Sequence, residues 1–202
     1  MSDSTLSIAL TPSLGDYFRE PVGEAIRGKD LEASSATETY LVQLLSDFAK
    51  PSGETTSPLS EPVTFLLRDA MEASGVDRFR KLQSLGDGVL YGVGFFGRGV
   101  RGVDREYLLQ TGATAYGHAA QMLRTGQGAL AGPDILDELA RKFARFVDVL
   151  AYVSDWVLAK SARGHKGVVE LYERWLQTGS SVLTSELGQR GVLPLKKSGG
   201  IS

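Results

Sequence analysis

The chain has 202 residues, of which 42% are hydrophobic and 23% charged, values typical of a globular protein with one sizeable core. Its formal net charge of -2 provides no strong field for nucleic acid or anionic lipid, so we expect neither partner. The absence of cysteine excludes disulfide bonds, a thiolate nucleophile and cysteine metal ligands. Residues 1–17 lack the features of a signal peptide and no apolar run is long enough to span a membrane, which predicts a cytoplasmic protein.

Residues 1–12 are rich in serine and threonine and are predicted to form a flexible N-terminus. A single helical domain is expected over 13–190, followed by a flexible tail over 191–202. In the first helix, apolar residues recur every four positions after a cap at Ser13. Pro21 is expected to kink or divide this helix, and Gly28 to end it.

The second helix is predicted from the sequence Ser-Ala-Thr-Glu at 35–38, which has the spacing of a capping box between Ser35 and Glu38. Leucines and Phe48 follow it at helical spacing. Residues 50–60 are predicted to form a loop, because proline, glycine and serine interrupt any periodicity. A third helix is expected to start at Ser60 and to end near Gly75.

The most unusual stretch is 85–102, where seven glycines alternate with apolar residues. We predict that it belongs to one long glycine-rich helix over 77–98 with a bare flank. Each glycine costs about 0.8 to 1 kcal/mol relative to alanine in a helix, so we expect a backbone or ligand to approach this flank closely. The candidate packing or partner surface comprises Gly88, Gly92, Phe95, Phe96 and Gly99.

Within that stretch, Gly92, Gly94 and Gly97 match the dinucleotide fingerprint G-x-G-x-x-G. The fingerprint requires a strand before it and a helix after it, and the sequence predicts no strand. Packing of a neighbouring helix against Gly88 and Gly92, which share a face, is the preferred interpretation.

Three more helices are predicted in the second half of the chain. Asp104 caps the fifth, and an apolar stripe from Leu136 to Val157 predicts a long, unbroken sixth helix at the centre of the fold. The seventh starts near Gly167, with Gly179 interrupting it. The fold class is therefore all-α: a single compact domain of about seven helices, orthogonal or bundle-like, around a central long helix.

Polar residues also share a face of the sixth helix, at spacings i, i+4 and i+7. This row is interpreted either as the solvated side of the helix or as a buried ion-paired network that lines a cleft with residues of the glycine-rich helix. The candidate polar cleft comprises Asp87, Tyr91, Arg98, Tyr116, Asp148, Tyr152 and Asp155. The two histidines, His118 and His165, lack the spacing of metal-ligand motifs, so we predict no metal, no cofactor and no catalytic residue.

The segments ETYLVQLLSDF, LGDGVLYGVGFF and LYERWLQTGS resemble an uncharacterised family of bacterial helical proteins. The resemblance implies one bacterial all-α domain and assigns no activity or functional residue. From the residues, the preferred function is a non-enzymatic interaction or regulatory protein that binds a protein partner through a helix groove, or self-associates. Two alternatives remain: a small-ligand sensor with a cleft beside 85–102, and an enzyme that uses carboxylates and tyrosines.

Overall fold

The computed structural model describes residues 13–50, 61–97, 104–125 and 134–195. These ranges form nine α-helices and contain no strand, which confirms the predicted all-α class. No helix within them is long and apolar enough to cross a membrane. The predictions for 1–12, for most of the 50–60 loop, and for Arg98 and Gly99 lie outside the described residues. The helices are α1 (Leu14–Gly28), α2 (Ser35–Ala49), α3 (Val63–Glu72), α4 (Gly75–Phe96), α5 (Arg105–Thr125), α6 (Ile135–Arg141), α7 (Phe143–Ser161), α8 (Gly164–Thr178) and α9 (Ser181–Gln189).

The described residues contain more helices than the seven predicted, because two predicted helices are each divided. The apolar stripe of the sixth is interrupted at Lys142, whose backbone angles (φ -111°, ψ 22°) separate α6 from α7. Gly179 adopts a left-handed conformation (φ 64°) that ends α8, so α9 is a separate helix. An apolar stripe indicates which side of a helix is buried, and the stripe from Leu136 to Val157 continues across Lys142 without requiring a continuous backbone.

The first helix is not divided at its proline. Pro21 lies inside α1, which continues to Gly28 as predicted. At the start of α1, a capping box joins Ser13 and Asp16: the Asp16 N–H donates to Ser13 Oγ at 3.1 Å, and the Ser13 N–H donates to Asp16 Oδ2 at 3.2 Å. This box satisfies amide groups that the first turn would otherwise leave without partners.

The start of α2 differs from the predicted capping box. The capping residue is Ser34, whose Oγ accepts from the Thr37 N–H at 3.1 Å. The carboxylate comes from Glu138 of α6, which accepts from the Ser34 N–H at 3.2 Å and from the Thr37 hydroxyl at 2.7 Å. A residue distant in sequence therefore performs the role predicted for Glu38, and ties α6 to the start of α2.

Helix α4, and not the predicted sixth helix, makes the most extensive packing contacts, chiefly with α5 and α7. Glycines allow this close packing. A β-carbon built on Gly86 would lie 2.5 Å from Cδ1 of Tyr116, and one built on Gly94 would lie 2.7 Å from Cβ of Leu150. Side chains of α5 and α7 therefore occupy the space beside Gly86 and Gly94.

The buried residues form two clusters. The larger, which we call the main core, draws on α1 to α7. The smaller, the C-terminal cluster, lies where the end of α7 meets α8 and α9. Within it, the Trp175 indole N–H donates to Thr184 Oγ1 at 2.9 Å and so joins α8 to α9. Its buried members are Ala159, Ala162, Leu171, Trp175, Leu183 and Leu187.

Candidate functional site

A carboxylate held by two tyrosines lies where α2, α4 and α5 meet. The hydroxyls of Tyr40 and Tyr116 each donate to Oδ1 of Asp87 at 2.6 Å. The Gln83 side-chain amide, one turn before Asp87, donates to the Tyr40 hydroxyl at 3.0 Å. Tyr116 is fully buried, and the bare position at Gly86 lets its ring pack against α4. The result is a connected polar network inside a helical bundle.

The electrostatics of this network keep both tyrosines as donors. Burial raises the pKa of Asp87, and the hydrogen bonds from Tyr116 and Tyr40 only partly oppose that increase. Burial and the neighbouring Asp87 charge raise the pKa of Tyr40 and Tyr116 above the ordinary value. Both hydroxyls therefore stay protonated near neutral pH. The arrangement suits a structural hydrogen-bond network that fixes three helices relative to one another.

Two predicted cleft residues, Asp87 and Tyr116, are thus in direct contact, while Tyr40 was not predicted. Tyr91 lies one turn beyond Asp87 but takes part in an aromatic stack. Its ring lies parallel to that of Phe48, with centroids 4.3 Å apart, and to that of Phe95 at 5.2 Å. The leucines near Tyr40 indicated that α2 is a core helix, but no local pattern indicates that the Tyr40 hydroxyl faces Asp87.

The predicted polar row on α7 is divided among three separate environments. Asp148 is exposed, with Nη2 of Arg105 at 3.9 Å. The Tyr152 hydroxyl donates to Glu24 of α1 at 3.3 Å. Asp155 is buried and ion-paired. Each of the two alternatives therefore describes part of the row: Asp148 is on the solvated side, and Asp155 belongs to a buried ion pair.

The buried end of the row forms a junction of three helices. Arg174 Nε of α8 donates to Asp155 Oδ1 of α7 at 2.9 Å, and the two side chains are 18% and 5% exposed. The same guanidinium donates through Nη1, at 3.5 Å, to the Phe96 carbonyl at the end of α4, where a cation is favourable. Gly97 then turns the chain with φ 63°, and a β-carbon there would lie 2.7 Å from Nη1. Arg174, which was not among the predicted cleft residues, is the partner of Asp155 in this junction.

The predicted packing or partner surface on α4 is only partly described. Gly88 is buried and Gly92 is half-buried. Phe95 is half-buried in the aromatic stack, whereas Phe96 is exposed and lies edge-on to Tyr91. The role of Gly88 and Gly92 as a contact surface stays a prediction.

An exposed apolar surface occurs instead on α8. Val169 and Leu176 are 54% and 48% exposed, on the side of the helix opposite the buried Leu171 and Trp175. They lie two turns apart and therefore share a face. We call this side the outer face of α8; it is formed by His165, Val169 and Leu176, with Tyr172 at its edge, half-buried against the C-terminal cluster. In the sequence, apolar residues occur on two faces of α8. A helix that packs against the core on one side requires only one such face.

Comparison of the chain with protein-family models, curated proteins and solved structures gives no significant match. The resemblance to a family of bacterial helical proteins therefore gains no support from these comparisons. Within the described ranges, no group of three or more histidine, aspartate or glutamate side chains is placed to hold a metal ion.

Proposed function

We propose that this protein is a non-enzymatic interaction protein that binds a protein partner through the outer face of α8. The supporting observation is the exposure of Val169 and Leu176 on a helix that already buries its opposite side. Apolar side chains grouped on one exposed helix face are typical of recognition surfaces. Leu193 and Leu195, which are 82% and 75% exposed after α9, add apolar surface to the same end of the chain.

The surroundings of this face have the composition of an interface. Lys166, Glu170 and Glu173 are exposed beside the apolar pair, so an apolar centre is bordered by charges of both signs. From inside, the Asp155–Arg174 ion pair and the Trp175 hydrogen bond hold α8 in place. A helix supported in this way presents a preformed surface, which lowers the entropic cost of binding.

The tyrosine–carboxylate network supports this choice over a small-ligand sensor or an enzyme. Either alternative would draw on Asp87, Tyr40 and Tyr116, whose hydroxyl groups are already engaged with the carboxylate. Their raised pKa values favour hydrogen-bond donation over proton abstraction near neutral pH.

Site-specific photo-crosslinking in the host cell tests the proposal. A crosslinking amino acid at Val169 should give a covalent adduct with a protein. The same amino acid at Val76, which is 66% exposed in the first turn of α4, should not give that adduct. Leu176→Asp should abolish the adduct at Val169, because a charge at the centre of an apolar contact is costly to desolvate. Identical adducts from both positions, or none at Val169, would contradict the proposal.

A further inference from the structure

We propose that the partner bound by the outer face of α8 is the α8 of a second copy of this chain, in antiparallel orientation. This proposal rests on the proposed function, because it requires the outer face of α8 to be an interface. It adds the identity of the partner and the direction in which the two helices run. Three observations support it: the spacing of the apolar residues, the placement of the charges, and the balance of charge in the whole chain.

The spacing on the outer face is that of a coiled-coil seam. His165, Val169, Tyr172 and Leu176 follow one another at intervals of four, three and four residues, which is the alternation of d and a positions in a heptad repeat. Val169 and Leu176 then occupy a positions, and Tyr172 the d position between them. The buried residues of α8 lie on its other side, and Tyr172 is half-buried against the C-terminal cluster. His165, Val169 and Leu176 are the exposed members of the seam, available to a second helix.

The flanking charges determine the orientation of the pair. Lys166 and Glu173 are exposed and lie one heptad apart, each immediately after a d position. In an antiparallel pair with Val169 opposite Tyr172 of the second copy, these flanking positions face each other. Lys166 then faces Glu173 of the second copy, and Glu173 faces Lys166 of the second copy. Symmetry thus produces two ion pairs from a single pair of residues.

A parallel pair would not match these charges. In parallel coiled coils the same positions face the residues just before the a positions, which are Val168 and Trp175 in α8. Neither of those side chains carries a charge, so a parallel pair would leave Lys166 and Glu173 without ion-pair partners. A formal net charge of only -2 per chain adds little repulsion between two copies. The seam is about two heptads long, so the dimer is reversible and depends on concentration.

Sedimentation velocity of the purified full chain over a concentration series tests this pairing. We expect a monomer–dimer equilibrium that the double substitution Val169→Ser and Leu176→Ser shifts to monomer. Val76→Ser, an equally conservative change at another exposed apolar position, should leave the equilibrium unchanged. Circular dichroism checks that each variant retains its helical fold. A single monomeric species up to about 1 mM, or a dimer that survives the double substitution, would overturn the proposal.

A charge exchange tests the antiparallel direction. Lys166→Glu should weaken the dimer roughly tenfold, because both symmetric ion pairs become repulsive contacts. Adding Glu173→Lys to the same chain should restore the original dissociation constant to within about twofold, since each pair is reformed with its charges exchanged. Failure of the second change to restore association would overturn the antiparallel pairing.

The two proposals fail in different ways. If the purified chain is monomeric while the crosslinker at Val169 captures a different protein in cells, self-pairing is overturned and the interaction function stands. If Val169 gives no adduct in cells, the proposed function fails regardless of the behaviour of the purified chain.

Discussion

The main core and the C-terminal cluster are held together by different kinds of contact. In the main core, aromatic rings pack directly against glycines: Tyr116 against Gly86, and Phe143 against Gly112. In the C-terminal cluster, few side chains are fully buried, and charged groups make many of the connections. One of them is Arg190, whose guanidinium donates to the carbonyls of Ala159 and Ala162 at 3.3 and 3.2 Å.

Because of this difference, we expect the two regions to differ in local stability and in the apolar surface that they expose. A small cluster buries only one side of α8, so the apolar residues on its other side remain exposed. Regions with few buried apolar contacts open at a lower free energy than the global unfolding of the protein. We therefore expect α8 and α9 to open before α4, α5 and α7, and the Asp155–Arg174 ion pair to be the main restraint on that opening.

The largest effect is expected from breaking this ion pair. Arg174→Met leaves the Asp155 carboxylate buried without a counter-ion, which should lower the free energy of unfolding by about 3 kcal/mol. Urea denaturation measures the loss, and hydrogen exchange should show faster exchange of α8 amides than of α4 amides.

Two controls define the origin of that effect. Arg163→Met removes an exposed arginine at the start of the same helix, which donates to the carbonyls of Lys160 and Ala162, and should cost less than about 1 kcal/mol. Combining Asp155→Leu with Arg174→Met should restore most of the lost stability, because no unpaired charge remains. A double variant as unstable as Arg174→Met would show that the buried charge is not the cause.

A second effect concerns the hydrogen bonds that join Glu138 of α6 to Ser34 and Thr37 at the start of α2. Burial opposes ionisation of Glu138, but hydrogen bonds from Thr37, Ser34 and Lys142 outweigh it and lower its pKa from 4.5 to about 2. Because the folded pKa lies below the ordinary value, the stabilisation is fully present above about pH 5 and is lost as the pH falls towards 2. Glu138→Gln should therefore lower the free energy of unfolding by about 2 kcal/mol at pH 7.

The pH dependence makes this prediction specific. The difference between wild type and Glu138→Gln, measured by urea denaturation, should decrease steadily from pH 5 to pH 3. The control is Glu170→Gln on the exposed side of α8, which should change stability by less than about 0.5 kcal/mol at any pH. If Glu138→Gln lowered the free energy of unfolding equally at every pH, the shape of the Glu138 side chain, and not its charge, would be the cause.

The smallest expected effect comes from two glycines of α5, which differ in how closely the main core packs against them. In α5, a β-carbon at Gly112 would overlap the Phe143 ring, whereas one at Gly117 would lie 4.0 Å from the Ala140 β-carbon, an ordinary contact. Gly112→Ala should destabilise the protein by about 1 kcal/mol, since the overlap exceeds the gain in helix propensity. Gly117→Ala should stabilise it by up to about 1 kcal/mol. Thermal unfolding of both variants should give melting temperatures on opposite sides of the wild-type value.

The sequence predicted local features well because they depend on neighbouring residues. The all-α class, the end of α1 at Gly28 and the interruption at Gly179 all follow from periodicity and from the conformational preferences of glycine. The break at Lys142 could not be predicted, because the apolar stripe runs through it. At this break, Lys142 Nζ donates to the Glu32 carbonyl at 2.5 Å, in the loop between α1 and α2, a contact that no local pattern shows.

The candidate site was predicted less completely, for the same physical reason. Asp87 and Tyr116 were both predicted as cleft residues. Tyr40 was missed, because it lies 47 positions before Asp87 in the chain, on a different helix. Arg174 was likewise absent from the predicted partners of Asp155, because a helical spacing shows only which residues share a face. Partners on other helices depend on crossing geometry, which a single sequence does not encode in any short pattern.

The placement of the two tryptophans has a practical consequence. Trp156 on α7 lies edge-on to Tyr17 of α1, with ring centroids 5.2 Å apart, whereas Trp175 lies inside the C-terminal cluster. Indole emission shifts to longer wavelength when the ring becomes hydrated, so Trp156→Phe leaves a fluorescence signal that reports only on α8 and α9. Trp175→Phe leaves one that reports on the contact between α1 and α7. Denaturation curves of these two variants would coincide for a single cooperative unit and would separate if the C-terminal helices open first.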